Sequence, residues 1–164
     1  NAYITAEGAL ELTMDRLKRT VKGTNCLILG YGRIGKFLAR LLLNLHASVT
    51  VAARKGKDLV QAELDGCIPC PLRDLAGCLP RCDVLYNTIP HLILDQTLLP
   101  LVPKSCLCID LASKPGGIDL RAAEQLELET IWALGLPGKV APGSAGQAIV
   151  DTVLQILTEQ EVSL

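Results

Sequence analysis

Residues 26–35 read CLILGYGRIG, and the residues that follow, KFLARLL, continue as an amphipathic helix. An apolar strand therefore runs through a G-x-G-x-x-G turn into a helix, the context in which this spacing binds a dinucleotide pyrophosphate. Gly30 permits the sharp turn, Gly32 lets the phosphates approach the backbone, and Gly35 lets helix and strand pack closely. The phosphates would lie on free N–H groups at the positive end of the helix. The alternative is a tight connection without a ligand.

A second predicted strand, Val49–Ala53, ends about twenty residues downstream, where such a site recognises the ribose. Arg54, Lys55, Gly56 and Lys57 follow it, with no acidic residue among them. An acid would accept a hydrogen bond from the 2′-hydroxyl of NAD, whereas Arg54 can pair with a 2′-phosphate and the lysines add charge. We therefore predict NADP(H) in preference to NAD(H). The alternative is a solvated loop of cations.

Composition narrows the class of protein. With 164 residues, 49% hydrophobic and 20% charged, residues 1–164 are expected to form one globular domain. A net charge of −1 and 3% aromatic residues argue against nucleic-acid binding. No apolar stretch approaches the ~20 residues that span a bilayer, and the start does not resemble a signal peptide, so a cytoplasmic protein without membrane contact is expected. Because the chain begins at Asn1 and enters a helical pattern directly, we expect it to be a piece of a longer polypeptide.

The seven cysteines are odd in number, and three lie in predicted central strands as small buried side chains. They do not imply a disulfide framework. Cys67-x-x-Cys70 and Cys78-x-x-x-Cys82 have the spacing of zinc ligands, which leaves a zinc-bound interaction module as an alternative. The pattern favours a short strand and the inner face of a helix, so we predict no metal.

The rest of the chain alternates between strands and helices. Strands are predicted at residues 26–29, 49–53, 67–70, 83–87, 106–110 and 129–133. Helices are predicted from Thr5, as N-cap, to Arg19, and then at residues 36–45, 58–64, 73–79, 120–126 and 144–159, while a loop and a helix together span residues 89–99. In the first helix, Leu10, Met14, Leu17 and Val21 form the expected apolar stripe. Six nearly continuous apolar strands predict an α/β fold of the Rossmann type, a doubly wound parallel sheet of order 3-2-1-4-5-6 with helices on both faces.

In this fold, ligands bind at the carboxyl ends of the strands. Three predicted loops besides the glycine turn lie there, at residues 87–90, 110–117 and 135–146. Asn87 and Thr88 are expected to hold the nicotinamide ribose or a substrate carboxylate, or else to form a turn before Pro90. Asp110 is expected to accept backbone N–H bonds from its own loop in preference to acting as a catalytic acid.

The segments NTIP (87–90), DLASKPGG (110–117) and GLPGKVAP (135–142), with the opening helix, resemble the family of dipicolinate synthase A subunits. The resemblance covers essentially the whole chain, at the family's C-terminal nucleotide-binding domain. It implies an N-terminal substrate domain that is absent here, and formation of dipicolinate from a dihydrodipicolinate with NAD(P)⁺ accepting a hydride. It also implies sporulation, the cytoplasm of the mother cell, and partnership with the flavoprotein-like B subunit of dipicolinate synthase. Association into a homo-oligomer stays open.

More distantly, the chain resembles D-2-hydroxyacid dehydrogenases, which carry an Arg after strand five and a His before the last helix. The corresponding loops here contain Lys114 and the run 141–144, APGS, while His46 and His91 lie elsewhere. Ordinary alcohol oxidation therefore lacks its base, and an aromatising oxidation suits these loops better. A hydroxyacid-dehydrogenase-like enzyme and a non-catalytic NAD(P)-binding module are the alternatives.

These arguments predict a site with three groups of residues. The predicted cofactor contacts are Gly30, Tyr31, Gly32, Arg33, Ile34, Gly35, Ala53, Arg54, Lys55, Thr88, Ile89, Pro90, Leu111 and Ala112. The predicted catalytic or substrate-contacting side chains are Lys114, Ser113 and Asn87. The predicted anion-binding residues are Gly116 and Gly117, through their N–H groups, with Gly143 and Ser144 at a helix start. The alternatives are a solvated Lys114 and a Ser144 that only caps its helix.

Overall fold

A parallel sheet of six strands organises the chain, in the predicted order β3-β2-β1-β4-β5-β6. The computed structural model describes residues 1–144, 146, 147 and 150. The strands are β1 Asn25–Leu29, β2 Ser48–Ala53, β3 Ile68–Pro71, β4 Val84–Asn87, β5 Leu107–Asp110 and β6 Thr130–Trp132. The α-helices are α1 Ala2–Arg16, α2 Arg33–Asn44, α3 Gly56–Leu64, α4 Leu120–Gln125 and α5 Leu136–Val140. Short 3-10 helices span Leu72–Gly77, Leu79–Arg81 and Leu99–Leu101. The predicted fold class is confirmed.

Both faces of the sheet are buried. Cys26 and Ile28 of β1 pack in a cluster with residues of α1, α2 and α3, while Leu27 and Leu29 point into a second cluster with the 3-10 helices and α4. This two-sided burial explains why the strands are apolar throughout instead of alternating. Among the described residues, no helix is both long and apolar enough to cross a membrane.

Helix α1 differs from its prediction at both ends. It begins before Thr5, whose hydroxyl donates to the carbonyl four residues earlier at 2.8 Å, so the predicted N-cap is wrong. It ends at Arg16, not Arg19. Met14 is 51% exposed, so it does not belong to the buried stripe. The buried face instead carries small residues such as Ala9 and Thr13, which allow close packing.

The helix predicted within residues 89–99, after a loop, is also wrong. The segment is a loop, and only a 3-10 helix, Leu99–Leu101, follows it. The N–H groups of Ile93 and Leu94 both donate to the Gly117 carbonyl at 2.9 Å, and Leu94 forms a parallel bridge with Ile118. Because its backbone pairs with the loop after β5, the segment cannot close helical hydrogen bonds. Similarly, the helix predicted at 73–79 is replaced by the first two 3-10 helices.

The loop predicted at residues 135–146 contains α5, which the sequence pattern missed. Gly135 precedes it in a left-handed conformation (φ +70°), and a proline lies in its first turn. Residues 142–144 are helical, so the last helix begins before its predicted start at Ser144. Most of the remaining prediction, to residue 159, lies outside the described residues.

Candidate functional site

The turn between β1 and α2 has the geometry that its glycines predict. Gly30 has φ +93°, and a Cβ there would meet Thr88 Oγ1 and Ile89. A Cβ on Gly35 would meet the Gly30 carbonyl oxygen, so helix and turn are packed backbone to backbone. Around Gly32, in contrast, no atom lies within 4 Å of the Cβ position among the described residues. Two glycines thus build the turn, and the third leaves its surface open.

The open surface faces a cavity of about 490 Å³. Its lining residues are Asn1, Ala2, Thr5, Gly32, Arg33, Ile34 and Thr88. Within the described part of the chain, no side chain caps the start of α2, and its first turn contains no acidic residue. Its first N–H groups and the helix dipole therefore face a space that favours an anion.

The start of α1 is the part of this cavity that sequence reasoning missed. Ala2 and Thr5 line it although they lie about thirty residues before the glycine turn. The contact depends on packing of α1 onto α2, which includes an edge-to-face contact of the Tyr3 and Phe37 rings with centroids 5.3 Å apart. The only available signal was the helical pattern itself, which does not indicate where the helix packs.

The side chain of Tyr31 is part of the hydrophobic core. The ring is buried, and its hydroxyl donates to Asp65 Oδ2 at 2.7 Å. Burial, and then the neighbouring carboxylate, raise the pKa of Tyr31, while the same hydrogen bond lowers the pKa of Asp65. Any contact between Tyr31 and a ligand in the cavity is therefore limited to its backbone.

The end of β2 joins the same edge of the sheet. The Gly30 N–H donates to the Ala52 carbonyl at 2.9 Å, which fixes the glycine turn beside this strand end. Ala53 is buried, whereas Arg54 and Lys55 are exposed, and α3 begins directly after them at Gly56. The two cations are thus held at the carboxyl edge of the sheet with their side chains in solvent.

Asp110 is the centre of a buried network that shapes the loops after β4 and β5. Its Oδ1 accepts from Asn87 Nδ2 at 2.7 Å and from the Ala112 N–H at 3.0 Å. Its Oδ2 accepts from the N–H groups of Gly117 and Ile118 at 2.8 and 3.2 Å. Asp110 is 1% exposed. It therefore holds its own loop, as the strand-end position predicted.

Both the amide nitrogen and the amide oxygen of Asn87 are hydrogen-bonded in this region. Besides its bond to Asp110, its amide nitrogen donates to the Ile89 carbonyl at 3.0 Å and its amide oxygen accepts from the Ile89 N–H at 3.1 Å. The side chain is buried. This geometry contradicts the expected substrate contact and corresponds to the turn that was the alternative interpretation.

The N–H groups expected to bind a substrate carboxylate are also occupied. The Gly116 N–H donates to the Ser113 carbonyl at 2.8 Å, and the Gly117 N–H donates to Asp110. A Cβ on Gly117 would collide with the Asn87 amide. These two glycines therefore pack the loop, and the anion-binding role predicted for their N–H groups is not supported by the geometry.

The remaining predicted residues separate into buried and exposed groups. Thr88 donates through its hydroxyl to the Leu29 carbonyl at 2.8 Å and lines the cavity. Ile89 is half-buried, and Leu111 and Ala112 are buried. Pro90, Ser113, Lys114, Gly143 and Ser144 are exposed. The helical stretch begins at Pro142, so Gly143 and Ser144 lie in its first turn, and Ser144 is not the residue that precedes the helix.

The cysteines do not converge on one point. Cys67 packs in the cluster on the α2 face of the sheet, and Cys70 packs in the cluster on the opposite face. Among the described residues, no group of three or more His, Cys, Asp or Glu side chains is arranged to hold a metal ion.

Comparison with known proteins agrees with this geometry. Residues 5–112 match the family model of the NAD-binding domain of D-isomer-specific 2-hydroxyacid dehydrogenases. The chain is 36% identical over 159 residues to the A subunit of dipicolinate synthase from Bacillus subtilis, covering 97% of this chain and 54% of that protein.

Solved structures of such proteins superpose closely. The dipicolinate synthase A chain from Bacillus subtilis matches with a TM-score of 0.95 and 35% identity over 99% of this chain and 55% of that one. The A subunit from Bacillus halodurans matches with a TM-score of 0.92 and 37% identity over 95% of this chain and 54% of that one. The chain thus spans about half the length of these relatives.

Proposed function

This chain belongs to the family of NAD-binding domains of D-isomer-specific 2-hydroxyacid dehydrogenases, and from that premise we propose that it is the nucleotide-binding part of a dipicolinate synthase. The enzyme would form dipicolinate from a dihydrodipicolinate by hydride transfer. The observation that carries the proposal is the glycine turn, where Gly32 faces an open cavity at the start of α2. The similarity to the dipicolinate synthase A subunit over nearly the whole chain supports the choice of substrate.

The residues present fit a dinucleotide. A side chain on Gly32 would fill the space that the pyrophosphate needs, and the N–H groups of the first turn of α2 would bind its oxygens. Arg54 and Lys55 would bind a 2′-phosphate, which supports NADP(H) over NAD(H). Thr88, Ile89 and the backbone of 111–112 would border the nicotinamide half.

When bound, the nicotinamide accepts a hydride from the substrate ring. The ring loses a proton as well, and the two losses together convert the dihydro ring into an aromatic one. Lys114 and Ser113 are the exposed polar side chains of the loop after β5. We assign them the substrate carboxylates, because a flexible ammonium and a hydroxyl can bind an anion there without breaking the Asp110 network.

The similarity to dipicolinate synthase A subunits also suggests where and with which partner the enzyme acts. We propose that the enzyme acts in the cytoplasm of the mother cell during sporulation, with the flavoprotein-like B subunit of dipicolinate synthase for its partner. A substrate domain outside this chain would close the cleft. Self-association would be measured by light scattering of the full-length enzyme.

Calorimetric titration of the chain with NADPH and NADH tests the cofactor. We expect tighter binding of NADPH, and Arg54→Ala should weaken NADPH at least tenfold while changing NADH little, since a lost charge-assisted bond costs about 1.5–3 kcal/mol. Arg81→Ala is the matched control, because Arg81 is an exposed arginine that precedes β4, at the amino ends of the strands. Equal losses for both nucleotides would remove the role of Arg54, and no heat with either would remove the proposed site.

Turnover of the full-length enzyme with its partner tests the substrate role. Lys114→Met should keep NADPH affinity and lose most of kcat/KM for the dihydrodipicolinate. Lys104→Met is the control, since Lys104 pairs with Glu127 and does not belong to the 110–117 loop. Unchanged turnover in the Lys114 variant would contradict the assignment.

A second candidate is oxidation of a D-2-hydroxyacid, which the family-model match favours. That match ends at residue 112, before the loops that would supply a substrate-binding cation and a base. Assay of the full-length enzyme with both substrate classes separates the two. Nucleotide binding without turnover of either would instead favour a non-catalytic binding module.

A further inference from the structure

Five cysteines lie on one face of the sheet, away from the glycine turn. They are Cys70, Cys78, Cys82, Cys106 and Cys108. Two pairs among them are in contact: Cys70 and Cys78, with 2.8 Å between their Sγ atoms, and Cys82 and Cys106, with 3.5 Å. The proposed function uses neither pair.

Access to solvent separates the two pairs. Cys78 is partly buried and lines, with Cys70, an open cavity of about 320 Å³. Cys82 lines the same cavity, but it is 5% exposed, as Cys70 is, and it donates to the Leu79 carbonyl at 3.0 Å; its partner Cys106 is 0% exposed, so the second pair has no member as accessible as Cys78. A small oxidant in the cavity can therefore reach Cys78 directly, whereas Cys106 is shielded.

The backbone around the first pair allows a short approach of the two sulfurs. Cys70 lies near the end of the edge strand β3, and Cys78 lies between two 3-10 helices with φ −91° and ψ −32°. A disulfide bond is about 2.05 Å long, so the sulfurs need to close by less than about 1 Å. A side-chain rotation and a small shift of an exposed turn can supply this movement.

We propose that Cys70 and Cys78 form a modification site at which a hydroperoxide converts two thiols into a disulfide. Cys78 reacts first: it loses its proton to solvent, and its thiolate attacks the peroxide, breaking the O–O bond and forming a sulfenic acid and an alcohol, or water from hydrogen peroxide. The Cys70 sulfur then attacks the Cys78 sulfur and displaces hydroxide, which takes up the Cys70 proton as water. The two sulfurs are together oxidised by two electrons, and the peroxide is reduced by two.

The order of the two steps follows from burial. Cys70 is 5% exposed, and its burial, followed by the hydrogen bond from Cys78, raises the pKa of Cys70 to about 12. Cys70 therefore keeps its proton near neutral pH and acts as the resolving partner.

The location of the pair predicts what its oxidation leaves unchanged. The cavity beside it and the cavity at the glycine turn have no lining residue in common among the described residues. Cys70 is in register with Ala52, so the disulfide would join the carboxyl end of β3 to the turn that follows, but on the face of the sheet opposite the cluster of α1 and α2. Nucleotide affinity should therefore be the same in the oxidised and reduced chain.

The test is oxidation of the reduced chain with one equivalent of hydrogen peroxide, alkylation of remaining thiols, and peptide mass mapping. We expect loss of two free thiols, a Cys70–Cys78 cross-linked peptide lighter by two hydrogen atoms than its reduced parts, and full reversal by dithiothreitol. Cys78→Ser should abolish the cross-link, and Cys82→Ser, the matched control, should retain it. Cys70→Ser should leave Cys78 as a sulfenic acid that dimedone labels.

The first two variants are checked for native circular dichroism, and the Cys70→Ser labelling experiment keeps the test decisive if Cys78→Ser does not fold. A Cys82–Cys106 cross-link as the main product would overturn the proposal. So would over-oxidation of Cys78 while Cys70 stays free. Unchanged NADPH binding after oxidation would support the separation of the two sites, and a tenfold loss would contradict it.

Discussion

Replacing Asp110 by Asn tests the strongest polar network in the structure. The substitution preserves the volume of the side chain and removes one of two buried acceptor oxygens. Each oxygen of Asp110 accepts two hydrogen bonds. In the variant, an NH₂ group takes the place of one of the two oxygens. In either orientation of the amide, this NH₂ group faces the two N–H donors that had bonded to that oxygen, and both donors lose their acceptor.

Each unsatisfied buried donor costs about 1–3 kcal/mol, so two of them predict a loss of about 4 kcal/mol in the free energy of unfolding. For a chain of 164 residues this corresponds to a fall in Tm of about 8–16 °C, since 1 kcal/mol shifts Tm by about 2–4 °C. The loop that follows β5 should loosen first, because the bonds from the Gly117 and Ile118 N–H groups hold it against the end of β5.

The measurement is thermal unfolding followed by far-UV circular dichroism, with urea unfolding as a second determination. Asp119→Asn is the matched control. It removes the same charge, but within the described part of the chain the Asp119 side chain accepts a single bond, from the Ala122 N–H, and Asn is an equally good N-cap. The control should change stability by less than about 0.5 kcal/mol. If Asp110→Asn is no more destabilising than the control, the network does not hold the loops.

Two further substitutions test local packing and a pH-dependent bond. Gly35→Ala should lower the free energy of unfolding by about 1–3 kcal/mol and weaken NADPH binding in calorimetry, because the new Cβ would meet the Gly30 carbonyl. Gly138→Ala is the control and should change neither quantity, because the space around its Cβ is open. Tyr31→Phe should cost about 0.5–1 kcal/mol at pH 7, because it removes the bond to the exposed Asp65 carboxylate. That bond lowers the pKa of Asp65, so the stability that it contributes is present above pH ~4 and is lost as the pH falls further. The free energies of unfolding of wild type and variant, measured by urea titration, should therefore converge in acid.

A gap between wild type and Tyr31→Phe that persists or widens in acid would contradict the role of the Asp65 carboxylate. The control is Tyr3→Phe, because the Tyr3 side chain is 47% exposed. That variant should show no such pH dependence. For Gly35→Ala, native stability and unchanged NADPH affinity would show that the turn has room for a Cβ.

The sequence by itself determined the glycine turn, which is a local pattern, and through it the sheet order, because a doubly wound fold with right-handed crossovers after such a turn has a characteristic strand order. Apolar runs of strand length predict buried parallel strands. Within six residues, Gly30, Gly32 and Gly35 indicate a sharp turn, an approach of phosphates to the backbone, and close packing of helix on strand. The strand-end position of Asp110 likewise predicted its role, since the main-chain donors of its loop are close in the chain.

Only the tertiary structure decided which polar groups stay free for a ligand and which distant residues meet. The N–H of Gly117 was predicted to bind an anion, yet Asp110 already binds it, and Asn87 is occupied by the same network. Most of the segment 89–99 is a loop, because the N–H groups of Ile93 and Leu94 donate to the Gly117 carbonyl in the loop after β5. Hydrogen-bond partners and close contacts depend on three-dimensional distance, which local residue patterns do not contain, so these features could be known only once the chain was folded.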